Sequence, residues 1–270
     1  MEFLIQKKII FLIKFVFIFI LFFFIEIFFS IKYTDHIPIL TFHKLISDEV
    51  KRRKFVNNRW IGSIDVFKQM MEWLFVNNYK TINTIEFYQW YKGYKQYPPK
   101  TVLITFDDGH YDFYYLVFPI LKKYNFKATF FIVGNRTNKK TPKYNATKIG
   151  YIGEDILEKL NEIYPNIEFQ SHSYNLHSIR NGKALIEYKS IQEIKSDILA
   201  NSKYNFSAIA YPYGKYTKSI KKILAEQGYL CAFTTWPYDY ATRNSDKYAI
   251  PRIEITGFSN INDMIKWVNN

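Results

Sequence analysis

The sequence predicts an α/β fold built on a parallel sheet or barrel, and three observations lead there. Short apolar, β-branched segments alternate with amphipathic helical segments along the chain past residue 31. Two of the apolar segments stop at residues that carry chemistry. Thr101-Val102-Leu103-Ile104-Thr105-Phe106 runs into Asp107-Asp108-Gly109, and Ile167-Glu168-Phe169-Gln170 runs into Ser171-His172. Sites in α/β folds gather where strands end. The third observation is size: 270 residues with 48% hydrophobic content suit one large domain, and no internal repeat or long linker argues for a second.

Taken in order, Ile37-Pro38-Ile39-Leu40-Thr41-Phe42-His43 reads as a strand ending in histidine. Residues 64–77 put Phe67, Met70, Met71, Leu74 and Phe75 on one helical face, and Asn77-Asn78 ends that helix. A short strand over 79–82 and a helix over 85–94 follow, and Pro98-Pro99 breaks the chain before the strand at 101–106. A helix over 112–124 leads to the apolar strand 128–133, and the polar stretch 135–146 is a loop beside the expected cleft. Helices are then expected over 154–163, 190–200, 217–227 and 261–268, the third stopped by Gly228 as a C-cap. Strands at 207–211, 230–234 and 249–255 complete the alternation.

Residues 9–31 are almost wholly apolar, interrupted by Lys14, Glu26 and Ser30, with Lys7 and Lys8 before them. A run this long spans a bilayer as a helix, and the flanking lysines keep the N-terminus in the cytoplasm. No Ala-x-Ala-like cleavage site follows. The expectation is an uncleaved signal anchor over 1–31, with the domain of residues 32–270 outside the cytoplasm. A cleaved signal peptide, giving a secreted or periplasmic domain, is the alternative.

The net charge of +13 invites a nucleic-acid partner. The lysines are scattered, however, and Lys, Asn, Ile, Phe and Tyr are abundant together, a bias of the whole chain; no nucleic acid is expected. Lys51-Arg52-Arg53-Lys54 is the one basic cluster and reads as a solvated loop. The single cysteine, Cys231, excludes an internal disulfide, and its apolar strand marks a buried thiol rather than a nucleophile.

Adjacent carboxylates repel, so Asp107 and Asp108 need a cation or a shared proton. One would bind a metal while the other stays free as a base; a plain Asp-Asp-Gly turn is the alternative. The segment Ser171-His172-Ser173-Tyr174-Asn175-Leu176-His177 favours the metal, since it holds two of the five histidines. Imidazoles suit zinc, cobalt, nickel or iron, and two of them with one carboxylate leave positions open for water and substrate.

Thr105-Phe106-Asp107-Asp108-Gly109, the 171–177 segment and Tyr211-Pro212-Tyr213-Gly214 stand in the order and spacing of the NodB-like polysaccharide deacetylases, carbohydrate esterase family 4. The chain resembles that family over residues 37–256. The five-residue step from His172 to His177 resembles the subgroup that deacetylates poly-N-acetylglucosamine in biofilm matrices. Many members carry a catalytic histidine near the C-terminus, where this chain reads Pro251-Arg252-Ile253-Glu254-Ile255. The biofilm-type subgroup looks circularly permuted and supplies that histidine from an N-terminal strand; His43 matches it.

The resemblance implies a distorted, incomplete (β/α) barrel with the site at the C-terminal ends of the strands. It implies one divalent metal, zinc in the first place and cobalt, nickel or iron otherwise, on Asp108, His172 and His177. Asp107 would be the general base and His43 the general acid. The Tyr213 backbone N–H would help hold the oxyanion, with Tyr211 and Pro212 of the same loop at the sugar. Many relatives have an arginine before that proline to orient the catalytic aspartate; Ala210-Tyr211 stands there instead. Arg252 is the candidate for the orienting role, against a purely structural salt bridge. Trp236 is either an aromatic wall or core, and His36 and His110 read as non-catalytic.

The implied function is hydrolytic N-deacetylation of N-acetylglucosamine residues in a cell-surface or extracellular polysaccharide. Peptidoglycan and chitin-like oligosaccharides present the same acetamide. A non-catalytic carbohydrate-binding relative would have lost one of Asp107, Asp108, His172 or His177, and all four are present. A basic membrane-anchored interaction protein is the remaining class, and it would show no metal dependence.

Overall fold

The computed structural model describes residues 12–17, 19, 20 and 32–269. The expected membrane-spanning segment lies largely outside them, and among the described residues no helix is long and apolar enough to cross a membrane. Eight strands form one sheet in the order Cys231–Phe233, Ala208–Ala210, Ile167–Ser171, Ala128–Ile132, Thr101–Phe106, Ile39–Phe42, Ile253–Glu254, with Lys80–Ile82 also paired to Thr101–Phe106. Every pairing is parallel. Parallel strands are buried on both faces, and alternate residues serve the two faces. Val102 and Ile104 join the outer core with Phe67, Met70 and Leu74 of the helix Ile64–Val76, while Leu103 packs inside with Ile39, Phe131 and Phe233.

The sheet curls into a half-barrel. Ile250 bridges to Phe233 at one edge and Ile253 pairs with Leu40 at the other, so residues 250–254 join the two edges. The strand expected over 249–255 is therefore only Ile253–Glu254 plus this bridge. Pro251 has no N–H for a ladder bond.

Three other expectations change. Lys51-Arg52-Arg53-Lys54 belongs to a helix, Asp48–Lys54, rather than a loop. Its acids lie in the first turn and its bases in the last, as the helix dipole favours, and Arg52–Asp48 and Arg53–Glu49 pair one turn apart. Phe75 is exposed and packs tilted against Tyr124 instead of joining the buried face. The helix expected over 112–124 opens with a π-turn, Phe113–Val117, before the α-helix Phe118–Lys123. Pro119 cannot donate to the carbonyl a turn earlier, and the wider turn absorbs the missing bond.

Register sets the site. Phe42 lies opposite Phe106, Ile132 opposite Ser171, and Ala210 opposite Phe233. His43, Asp107, His172 and Tyr211 therefore leave the sheet at one end, the C-terminal one. His36 precedes the barrel strands at the other end, its Nδ1 2.7 Å from Asp35.

Candidate active site

The Asp-Asp turn begins with a barrel bond, Asp107 N–H donating to the Phe42 carbonyl at 2.9 Å. Asp108 and Gly109 then both take left-handed backbone, φ 76° and 78°. Glycine adopts that freely and aspartate does so at a cost. Ser173 and Tyr213 are also left-handed, φ 67° and 57°. The other described non-glycine residues with positive φ are all asparagines, which tolerate it, whereas Asp108, Ser173 and Tyr213 fall one in each of the three motifs, the pattern of strain held at a functional site.

Asp107 is gripped by Arg252. The guanidinium donates from Nη1 to Oδ1 at 2.9 Å and from Nη2 to Oδ2 at 2.7 Å, and Arg252 is 0% exposed. Phe131 and Phe233 lie under its planar face. Burial alone would raise the Asp107 carboxyl, but Arg252, with His172 and His43, outweighs it and holds the group below the usual carboxylate range. Arg252→Gln removes the largest opposing charge and leaves burial to act, so the Asp107 pKa should rise. If activity needs Asp107 ionised, the acid limb of kcat/KM should move to higher pH. Unfolding in urea should show a loss of about 3–5 kcal/mol, the usual result of breaking a buried pair.

Asp108 turns the other way. Its Oδ1 lies 2.9 Å from His177 Nε2 and 3.5 Å from His172 Nε2, and its Oδ2 lies 3.3 Å from His110 Nε2. Burial opposes its ionisation, but the three imidazoles hold the carboxyl well below the ordinary range. His172 Nδ1 lies 2.8 Å from the Ala210 carbonyl. As donor there it leaves Nε2 with a free lone pair toward Asp108. Burial pushes the His177 imidazole down, against the pull of Asp108, which favours the neutral ring that a metal needs.

The histidine loop is shaped from beneath. The Asp197 carboxylate accepts the N–H groups of Tyr174 and Asn175 at 2.8 and 2.6 Å, and Arg136 donates to the His177 carbonyl at 2.7 Å. One ligand atom from each of Asp108, His172 and His177 lies within 4.8 Å of the others. Asp108 Oδ1 is buried with no donor aligned to it despite the two close imidazoles. A cation between the three groups satisfies that oxygen, so the residues fit a divalent ion with two nitrogen ligands and one oxygen ligand.

A cleft of about 340 Å³ opens over this cluster, lined by His43, Trp60, Tyr151, Tyr213 and both aspartates among others. The His43 ring is half-buried, its centroid 4.8 Å from that of Trp60. Burial lowers its pKa, opposed by Asp108, Asp107 and Glu254. The exposed Tyr213 ring lies 4.6 Å from His177. Tyr211 and Tyr213 both line the cleft, Tyr211 buried with its hydroxyl donating to the Tyr248 carbonyl and Tyr213 more exposed, while the buried Pro212 does not line it. Trp236 is 70% exposed and so not core; its neighbour Thr235 lines the cleft and Trp236 does not.

Three residues at the site escape a reading of the sequence alone, Trp60, Arg136 and Lys44, and a fourth, His110, reads there as non-catalytic. His110 had a signal, its place three residues after Asp107. It is 8% exposed, stacks on Tyr151 and supports the Asp108 carboxylate from outside the cluster. Partners that fix a ligating carboxylate typically contribute about 10–100-fold in metal affinity. His110→Ala should weaken zinc binding by about that factor, read by competition with a chromogenic chelator.

The sequence profile for polysaccharide deacetylases matches residues 94–232. The poly-β-1,6-N-acetyl-D-glucosamine N-deacetylase of Staphylococcus epidermidis is 30% identical over 200 residues, 70% of this chain and 66% of that protein. The protein of the same name from Staphylococcus aureus is 28% identical over 258 residues, 84% of this chain and 81% of its own length. Among solved structures, the Streptococcus pyogenes deacetylase PplD in complex with acetate superposes with a TM-score of 0.70 at 24% identity, covering 86% of this chain and 98% of that one. IcaB from Ammonifex degensii gives 0.69 at 21% identity, covering 88% and 98%. The motifs, the half-barrel and these likenesses agree, and the chain belongs to the polysaccharide deacetylase family.

Proposed function

We propose that this protein is a metal-dependent hydrolase that removes acetyl groups from N-acetylglucosamine residues of an extracellular polysaccharide, with poly-β-1,6-N-acetylglucosamine as the favoured substrate. The observation that carries the reading is one carboxylate–histidine–histidine cluster beside a second carboxylate locked by a buried arginine. The names of the staphylococcal relatives support the substrate. Asp108, His172 and His177 would hold the ion, zinc by preference because nitrogen and oxygen donors in a three-ligand set suit it. Such an ion supplies Lewis acidity toward the hydrolytic water and the acetamide oxygen.

The chain's own groups do the proton work. Asp107 stays ionised at neutral pH and accepts the proton of the attacking water, its two oxygens kept in place by Arg252. The Tyr213 N–H donates to the oxygen that gains charge as the carbonyl carbon becomes tetrahedral. His43 gives a proton to the glucosamine nitrogen as the C–N bond breaks. Trp60, beside His43 and 44% exposed, offers the sugar ring an apolar face.

Residues 32–270 would form the catalytic domain outside the cytoplasm, held by residues 1–31 as a signal anchor or released from them as a signal peptide. The apolar run at 9–31 with its flanking lysines supports this placement. The test is acetate release from oligomers of β-1,6-linked N-acetylglucosamine, of peptidoglycan glycan and of chitin. Release from the first supports the reading. Release only from the others keeps the chemistry and replaces the substrate, and silence on all three rejects the enzyme.

A further inference from the structure

His43 sits where the chain changes sheets. Upstream it leaves the barrel strand Ile39–Phe42; downstream it enters Lys44–Ile46, which pairs with Ile61–Ser63 in a separate two-stranded ribbon. On the barrel side the Phe42 carbonyl is fixed by the Asp107 N–H. On the other side one carboxylate takes both following residues. Asp112 Oδ1 pairs with Lys44 Nζ at 3.1 Å, and Asp112 Oδ2 accepts the Leu45 N–H at 2.8 Å. Both side chains of that ion pair are 2% exposed. Lys44 also lies over the Tyr111 ring, 5.3 Å from its centroid.

Both anchors of His43 thus come from the short stretch 107–112 that also presents Asp107 and Asp108. The ribbon adds a second consequence: Lys44 pairs with Ile61, so the same clamp sets the register of Trp60, whose ring packs tilted against His43. A buried ion pair is a poor stabiliser next to apolar residues of equal volume, and its best-attested use is to fix register. Asp112 itself lies outside the residues that line the cleft.

We propose that Asp112 is a positioning residue for His43: through Lys44 and the Leu45 N–H it fixes the imidazole in register with the Asp107–Asp108 turn. The proposal rests on the reading of His43 as proton donor. It predicts a coupling between two sites that would be absent if Asp112 only stabilised the fold.

The test is a double-mutant cycle in the full chain loaded with zinc, measuring acetate release from β-1,6-linked N-acetylglucosamine oligomers. Asp112→Asn should lower kcat by about 10²-fold, the cost of a misplacement near 1 Å, with KM and zinc content per folded chain unchanged. In a His43→Ala background the same change should have no further effect. Equal losses in both backgrounds, or an unchanged kcat in folded Asp112→Asn, would overturn the proposal. Should Asp112→Asn fail to fold, Lys44→Met with Asp112→Leu replaces the pair by apolar groups, and it should fold with the same kcat deficit. Wild-type kcat in that double variant also overturns it. A fully active His43→Ala removes the donor reading itself, whereas an inactive His43→Ala beside a fully active Asp112→Asn removes only the positioning role.

Discussion

Asp107→Asn should leave metal binding intact and lower kcat by about 10²–10⁴-fold, the range of a lost general base. The side chain keeps its shape, and it is not one of the three groups that converge within 4.8 Å to hold an ion. What it loses is charge. The amide cannot take a proton from water, and one of its ends now presents N–H groups to a guanidinium that only donates. Arg252 is then a buried cation without its anion, so some stability should go with the activity. Elemental analysis alongside steady-state rates separates the two effects. Metal content near that of the parent protein with turnover lost supports the role of base, and near-normal turnover removes Asp107 from it.

His172→Ala should lose both metal and turnover. The imidazole contributes Nε2 to the cluster and is aimed by Nδ1 at the Ala210 carbonyl, so truncation deletes a ligand and leaves a buried acceptor without its donor. One carboxylate and one histidine remain, too few to hold the ion well. The fall in affinity should exceed the about 10–100-fold expected for a supporting residue such as His110. Titration with zinc, followed by calorimetry, checks the order: wild type tightest, His110→Ala intermediate, His172→Ala weakest. Equal affinities for His172→Ala and wild type would place the ion elsewhere.

What the sequence revealed, and what it hid, divides by distance along the chain. Asp107 and Asp108 are adjacent, and His172 and His177 share one loop, so local pattern exposes both pairs together with the strands that carry them. The helices Ile64–Val76 and Glu154–Ile163 were legible for the same reason, since their apolar spacing is local. Arg252 meets Asp107 across 145 positions, and Lys44 meets Asp112 across 68. Those contacts depend on which strands pair and in what register, which no window of sequence reports. The family resemblance makes Arg252 a candidate for orienting Asp107, but sequence alone leaves a purely structural salt bridge equally open. Asp112 drew none, because an acid at the mouth of a predicted helix looks like an ordinary first-turn residue. The basic stretch at 51–54 misled in the opposite sense: its charges were conspicuous, while the acids one turn earlier that make it helical were not.

The most direct test of the central claim is acetate release from β-1,6-linked N-acetylglucosamine oligomers by the protein before and after its metal is stripped with chelator, and again after zinc is returned. Deacetylation through the Asp108–His172–His177 cluster predicts that release stops on stripping and recovers fully at one divalent ion per chain. Undiminished release by the stripped protein would contradict it.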